Sequence, residues 1–444
     1  MLISDFLNSD FKIVSEGDLI KSDEITRIKK NKPKWLCNFK GKNIIIHANA
    51  FNSIKWAILL DGVANSLLLA PENACEKFIK YVENTTQSDV IICDENVDNK
   101  LWNIDTQQIE LIESDVNIPS CLDNISTNWL IATSGTTGTP KIVSHTLESL
   151  TRTVSKKNDD THKIWALMYE PGRFAGIQVI IQALASGGTL LVPNINNSFS
   201  ESIGFLVSNN CSSLSATPTL WRKILMSPMS DGLNLSQITL GGEIADQKIL
   251  NTLVKRFPNA LITHIYASTE AGVGFSVKDK QAGFPKSWLE TGFRGIAFAI
   301  SSENTLQIKN TWHGQKYIGT PAKLAENDDW INTGDLVNVI EDRIFFRGRL
   351  NGSINIGGNK VIPEEIEAQI LSVPDVYQVL VREKKSSIAG ALIEALIVTN
   401  NDDRQSVIKA VKEHCKSTLL AFKRPAFIKI VDELPTSTTG KIKR

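Results

Sequence analysis

From Asn43 the chain reads NIIIHANAFNSIKWAILLDGVANSLLLAP: an apolar run, an amphipathic stretch and a second apolar run. This alternation constrains the fold more than any other feature. A strand that is apolar along its whole length must be covered on both faces, and a parallel sheet flanked by crossover helices does that. Residues 80–94 repeat the theme and end in VIIC, WLIAT at 129–133 is a further strand, and the pattern continues through 180–193 and 260–268. The expectation is an α/β fold, a large N-terminal domain of β-sheets layered with helices. Past about residue 350 the chain changes character. The short strands VYQVLVRE and ALIEALIV surround two helices rich in Lys and Glu, which predicts a small α+β lobe of about 95 residues, near the lower end of domain sizes. The joint is expected at Arg349-Leu350-Asn351-Gly352, where Asn and Gly permit turn geometry. This gives two domains, 1–349 and 350–444.

With 444 residues, 42% of them hydrophobic, the chain can bury a sizeable core. Its 48 basic and 48 acidic residues cancel, and no long basic run occurs, which disfavours nucleic acid and anionic membranes as partners. No window approaches the roughly 18 apolar residues of a membrane span. The first residues mix Asp, Glu and Lys and do not resemble a signal peptide. The cysteines are scattered without a CxxC pair, so reduced thiols in a cytoplasmic protein are expected.

The sharpest local signal is Thr133-Ser134-Gly135-Thr136-Thr137-Gly138-Thr139-Pro140-Lys141, directly after a strand. Its glycines let backbone N–H groups approach a polyphosphate, its hydroxyls add donors and Lys141 adds charge. A Walker A loop needs four residues between Gly and Gly-Lys; that spacing is missing, which disfavours P-loop kinase chemistry. Taken alone, the segment also reads as a polar βα turn.

This loop resembles the phosphate loop of the acyl-adenylate-forming superfamily, which includes acyl-CoA synthetases, peptide-synthetase adenylation domains and firefly-type luciferases. Further segments follow in that family's order: Gly241-Gly242-Glu243 resembles its adenine-side loop, Tyr266-Ala267-Ser268-Thr269-Glu270 its Tyr-Gly-x-Thr-Glu segment, and Thr333-Gly334-Asp335 its ribose-binding Thr-Gly-Asp. Gly348-Arg349, Gly357-Gly358 and Pro363-Glu364-Glu365-Ile366-Glu367 resemble the passage into its C-terminal domain, and Thr439-Gly440-Lys441-Ile442 its last motif. The resemblance implies a mobile C-terminal lid, with the active site between lid and body.

It also implies a reaction: ATP-dependent adenylation of a small-molecule carboxylic acid with pyrophosphate release, then transfer of the acyl group to a thiol. CoA is the first expectation for the thiol. The alternatives are the phosphopantetheine of an acyl carrier protein, or a catalytically silent AMP-binding regulator. Carboxylate and phosphate repel, so catalysis here is charge neutralisation and alignment. Glu270 suits Mg²⁺, which takes one or two carboxylates plus phosphate oxygens. Thr269 can donate to the α-phosphate, Tyr266 can stack on adenine, and Asp335 can accept from the ribose hydroxyls. By resemblance Arg349 is a second ribose or phosphate partner, and Lys441 bridges the attacking carboxylate and the phosphate.

Some positions depart from the family pattern. Ala267 replaces a Gly, Ile142 follows Lys141 where Gly is frequent, Asn351 stands at the hinge, and Asn355 stands where many relatives have Lys near the thiol tunnel. In the stretch 168–176, Arg173 occupies a position that is usually a neutral ring, and no Phe-Asp pair is present, which disfavours an amino-acid substrate. Arg173 either reads an acidic group on the substrate or pairs with Glu170. Gly176, Thr217, Trp221 and the segment Gly242-Glu243-Ile244 are expected to line the acyl pocket, with Gly357 approaching it from the lid.

Overall fold

The computed structural model describes residues 2–7, 10–31, 33–94, 106–107, 124–133, 140–154, 163–310, 314, 316–324, 330–386 and 390–435. The phosphate-loop residues Ser134, Gly135, Thr136, Thr137 and Gly138 lie outside them, as does Lys441.

Two sheets dominate the N-terminal part. The first has eight strands in the order Gly272–Val277, Leu261–Ser268, Gln237–Gly241, Ser213–Ala216, Ile164–Leu167, Thr189–Leu191, Lys12–Val14, Leu19–Lys21. It is parallel throughout its interior and antiparallel only at its two edges. The second has seven strands, with Asn43–His47 and Ser66–Leu69 at its parallel centre. Strand alternation sorts the side chains by face. Trp165 and Leu167 face one core, while Ala166, Leu214, Ile238 and Ile262 face another beneath the helices Phe199–Ser208, Pro218–Met226 and Gln247–Arg256. The helices Ala50–Leu60 and Phe174–Ala185 lie between the two sheets and are apolar on nearly every side. Where the layers meet, a Cβ on Gly172 would stand 2.0 Å from the Leu69 carbonyl oxygen, so only glycine allows this approach.

A third, antiparallel five-stranded sheet follows, in which Trp330–Ile340 pairs with Arg343–Arg349. The chain then makes a single tight turn, Leu350–Gly352, and enters a smaller α+β unit. A hairpin, Ile354–Ile356 with Asn359–Val361, precedes the helix Pro363–Leu371. The strands Gln378–Ser386, Gly390–Val398 and Phe427–Ile430 form a three-stranded sheet, with the helix Arg404–Thr418 packed on the same core as Pro363–Leu371. The fold is therefore the expected one: large sheet-and-helix layers followed by a small α+β unit.

One alternative reading falls away and one expectation changes. The described residues on either side of the phosphate loop belong to two antiparallel strands, Asn128–Ala132 and Ile142–His145, and not to a βα turn. Ile142 and Val143 are fully buried in that strand, and burial of this kind favours β-branched residues in a sheet. The cysteines are not uniformly reduced: Cys75, Cys93, Cys211 and Cys415 are free, whereas Cys37 is disulfide-bonded. Among the described residues no helix is long and apolar enough to cross a membrane.

Candidate active site

The candidate residues gather at the carboxyl ends of the parallel strands of the first sheet, where open α/β sheets bind ligands. Leu261–Ser268 carries Tyr266 and runs into Thr269 and Glu270, and Gly272–Val277 turns back against it. The turn between these strands is held by its carbonyls. His145 Nε2 lies 2.7 Å from the Thr269 oxygen, Gly314 N donates to the Glu270 oxygen at 2.9 Å, and Asn310 Nδ2 donates to the Ala271 oxygen at 2.9 Å. Ser268 Oγ accepts from Ala271 N at 2.9 Å. A carbonyl only accepts, so His145 carries its proton on Nε2, and its Nδ1 lies 3.0 Å from Ser149 Oγ. Thr269 and Glu270 are thus presented on a fixed backbone. The Glu270 carboxylate meets Tyr317 Oη at a long 3.4 Å, and Lys141 Nζ lies 4.9 Å from the centre of the Tyr317 ring. Burial, with the Glu270 charge adding to it, pushes the Tyr317 phenol up.

Lys141 and Thr133 close the neck of the phosphate loop. Thr133 N donates to the Lys141 oxygen at 2.8 Å, and Lys141 N donates to Thr133 Oγ1 at 3.1 Å. The Pro140 carbonyl accepts from Tyr81 Oη at 2.8 Å. The loop therefore starts and ends on anchored residues, beside Tyr317 and Glu270.

Asp335 and Arg349 are direct partners across Trp330–Ile340 and Arg343–Arg349. Arg349 Nε donates to Asp335 Oδ1 at 2.8 Å, and Tyr266 Oη donates to Asp335 Oδ2 at 2.5 Å. The Asp335 carboxylate pushes the Arg349 guanidinium up, and burial together with that carboxylate pushes the Tyr266 phenol well up, so both remain donors. A carboxylate offers about four lone-pair sites, so after these two bonds Asp335 keeps room for two more donors, the number a vicinal diol supplies. Gly334 has φ +69°, and Asp335 N donates to Thr333 Oγ1 at 3.1 Å, which sets the carboxylate's direction. The Tyr266 ring lies parallel to Phe275 and Phe346 at centroid distances of 5.3 and 4.9 Å. The structure thus gives Tyr266 an aromatic cluster and a hydrogen bond to Asp335 in addition to any stacking on a base.

On the acyl side the structure shows the second of the two readings of Arg173, the pair with Glu170. Arg173 Nε donates to Glu170 Oε2 at 2.8 Å, and Arg173 Nη1 donates to the Ala132 oxygen at 2.8 Å. The bend at Pro171-Gly172 brings the pair together rather than apart, since Arg173 N also donates to the Glu170 carbonyl at 3.1 Å. The guanidinium ties the start of Phe174–Ala185 to the strand that delivers the phosphate loop. Gly176 is a contact glycine: a Cβ there would stand 2.1 Å from the Glu170 oxygen. Thr217 is fully buried and caps Pro218–Met226, its Oγ1 accepting from Leu220 N at 3.1 Å. Trp221 is core, its indole N–H on the Thr239 carbonyl at 3.0 Å. In the adenine-side loop Gly242 is exposed at φ +81°, and Glu243 Oε2 accepts from Thr219 N at 2.9 Å, which ties that loop to the same helix start. Buried Tyr169 and Ser215 share a hydrogen bond beside Gly241. Gly357 sits apart from all of these, at the exposed tip of the lid hairpin with φ +56° next to Gly358 at +88°, the pair of positive φ values of a type I′ turn.

His145, Tyr317, Asn310 and Gly314 were not found from the sequence. The strand Lys316–Ile318 reaches the site only by pairing with Ile142–His145, a contact that no local pattern announces.

This fold and site define an acyl-adenylate-forming enzyme. Residues 57–314 match the AMP-binding enzyme family and residues 365–441 match the AMP-binding enzyme C-terminal domain, and the chain belongs to that family of adenylate-forming ligases. Among curated proteins it is similar to the D-alanine–D-alanyl carrier protein ligase of Staphylococcus aureus, 26% identical over 392 residues, covering 82% of this chain and 78% of the relative. Among solved structures it resembles the anthranilate CoA ligase AuaEII in complex with anthranoyl-AMP (TM-score 0.79, 14% identity, 100% and 95% of the two chains). It also resembles the o-succinylbenzoate CoA synthetase of Bacillus subtilis (TM-score 0.74, 17% identity, 97% and 93%). The amide bond synthetase McbA of Marinactinospora thermotolerans is similar too (TM-score 0.79, 13% identity, 99% and 96%).

Proposed function

We propose that the protein activates a small carboxylic acid as its acyl-adenylate and passes the acyl group to the phosphopantetheine thiol of a carrier protein. The observation that carries the first half is the Asp335 constellation, a carboxylate held by Arg349 and Tyr266 with acceptor capacity left for a ribose diol. Thr269 and Glu270 stand beside it on a pinned turn. The carrier protein replaces CoA as the leading acceptor because the curated relatives load a carrier protein, and they cover most of this chain.

ATP fits these residues. Among the described residues the one side-chain hydrogen bond to the Glu270 carboxylate is the long one from Tyr317, which leaves acceptor capacity. Among the described residues no group of three or more His, Cys, Asp or Glu is gathered. This suits Mg²⁺, which draws most of its ligands from phosphates and water. Bound there, Mg²⁺ would neutralise phosphate charge as the acid approaches. The protein's own part is to anchor the phosphate loop at Thr133 and Lys141, orient the ribose at Asp335 and Arg349, and offer the Thr269 hydroxyl to the α-phosphate. Lys441, outside the described residues, is proposed to bridge carboxylate and phosphate.

The acid is not assigned a second carboxylate: Arg173 is engaged by Glu170 and Ala132, and this pair belongs to the framework of the pocket. The division into 1–349 and 350–444 is proposed on the turn Leu350–Gly352, which alone connects the third sheet to the lid hairpin. The test offers holo-carrier protein, CoA and free pantetheine as acceptors, with a panel of acids that includes D-alanine. Acylation of the carrier at a much higher kcat/KM than of CoA supports the reading; preference for CoA returns the enzyme to the CoA-ligase class.

A further inference from the structure

The lid helix Pro363–Leu371 is gripped at both ends by cations of the N-terminal part. At its start, Glu365 Oε1 accepts from Arg347 Nε at 2.7 Å, while Lys423 of the lid itself donates to Oε2 at 2.6 Å. At its end, Lys248 Nζ lies 2.7 Å from the Leu371 oxygen, 3.0 Å from that of Val376 and 3.5 Å from that of Val373. An acid in the first turn and a cation at the last carbonyls is the arrangement the helix dipole favours. Here, however, both cations come from across the hinge. On the face of the lid sheet opposite this helix lies an apolar seat, where Met226 packs on Leu380, Leu396, Val398 and Leu434. Such a seat favours contact without fixing an angle, because hydrophobic attraction is not directional. The polar contacts across the hinge do fix one: Arg347 and Lys248 hold Glu365 and the Leu371 carbonyl, six positions apart on the helix, while beside the seat Lys223 Nζ lies 3.2 Å from Glu433 Oε2 and Gln378 Nε2 donates to the Thr219 carbonyl at 3.4 Å.

In this arrangement the hairpin tip is outside the site. Gly357 and Gly358 are exposed, and among the described residues a Cβ on either would meet nothing within 4 Å. The lid as gripped is therefore not placed to present that hairpin to a thiol.

We propose that Lys248 is a positioning residue that holds the lid in the arrangement serving acid activation, and that its loss releases the lid toward thiol transfer. Lys suits the place better than Arg: a compact ammonium with three donors can meet three converging carbonyl oxygens, whereas a planar fork cannot. The kinetic half of this inference rests on the proposed two-step reaction; the mechanical half does not.

The test uses the full chain with Lys248→Met, and with Lys255→Met as a control on the exposed side of the same helix. Trypsin cleavage after Arg349 reports release of the hinge. Lys248→Met should be cut about three- to tenfold faster than the parent, the modest factor expected for charged hydrogen bonds on a surface. Its melting temperature and that of Lys255→Met should match the parent. With the acid identified by the panel, ATP–pyrophosphate exchange should slow by a similar factor, while transfer from supplied acyl-AMP to the thiol holds or rises. A merely structural residue would lower both steps together. Equal cleavage of Lys248→Met and parent overturns the grip. Faster cleavage with both steps unchanged, or with both reduced alike, overturns the positioning role. A parent that forms no adenylate with any acid defeats the functional reading and leaves the grip to be judged by cleavage alone.

Discussion

Asp335 offers the sharpest test of the nucleotide site, because its partners are known and countable. The carboxylate receives one bond from Arg349 and one from Tyr266, leaving about two acceptor positions for the ribose. In Asp335→Asn the charge is lost, and one oxygen becomes an NH₂ that faces a donor, either the Arg349 guanidinium or the Tyr266 hydroxyl. Hydrogen bonds to a charged acceptor contribute about 1.5–3 kcal/mol each. Loss of one diol bond together with misorientation of the carboxamide should weaken AMP binding by about 2–3 kcal/mol, roughly thirty- to 150-fold. Titration calorimetry with AMP and with 2′,3′-dideoxy-AMP needs no knowledge of the acid. The parent should favour AMP by a similar margin, and Asp335→Asn should bind the two ligands nearly equally. If the variant still discriminates as the parent does, the ribose is read elsewhere and the lone-pair argument fails.

Arg173→Ala should destabilise the protein by about 2 kcal/mol, because the Glu170 carboxylate, only 9% exposed, loses its cation; an unchanged melting temperature would return Arg173 to the substrate. Glu270→Gln should shift the magnesium titration of adenylation to higher concentration, since a neutral amide is a poorer ligand for a hard cation, and an unmoved titration would remove Glu270 from the metal site. Lys29 is held on the Ile58 and Asp61 carbonyls, and burial pulls its pKa down to about 8. The unfolded chain keeps that proton to about 10.5, so between these values the unfolded state binds more protons and stability rises with pH. Relative to Lys29→Met, the parent should gain up to about 3 kcal/mol in urea unfolding from pH 8 to pH 10.5, at 1.36 kcal/mol per pKa unit; parallel curves would contradict the burial.

Much of the fold was legible because it rests on local pattern. The runs IIIH, SLLL and VIIC are apolar on both faces and became buried parallel strands, and the change of character near 350 coincides with the turn Leu350–Gly352. Asp335 and Arg349 were legible as motif residues, and strand register explains why they meet. What stayed hidden depends on contacts between distant segments. Nothing near Tyr317 tells that it will lie against Lys141, and nothing near His145 tells that its ring will hold the Thr269 carbonyl. The Arg173–Glu170 pair was one of two readings the sequence left open, because only the tight bend at Pro171-Gly172, which brings the two side chains together, decides between them.

The most direct measurement of the central claim is acyl-AMP formation itself, followed as ATP–pyrophosphate exchange and by mass of the adenylate, across the acid panel in the parent and in Lys441→Ala. The parent should form the adenylate of at least one acid. Lys441→Ala should lose about a hundred- to a thousandfold in that step while still binding AMP and still transferring supplied acyl-AMP to the thiol. A parent that binds AMP but forms no adenylate, or a Lys441→Ala variant with undiminished exchange, would contradict the account.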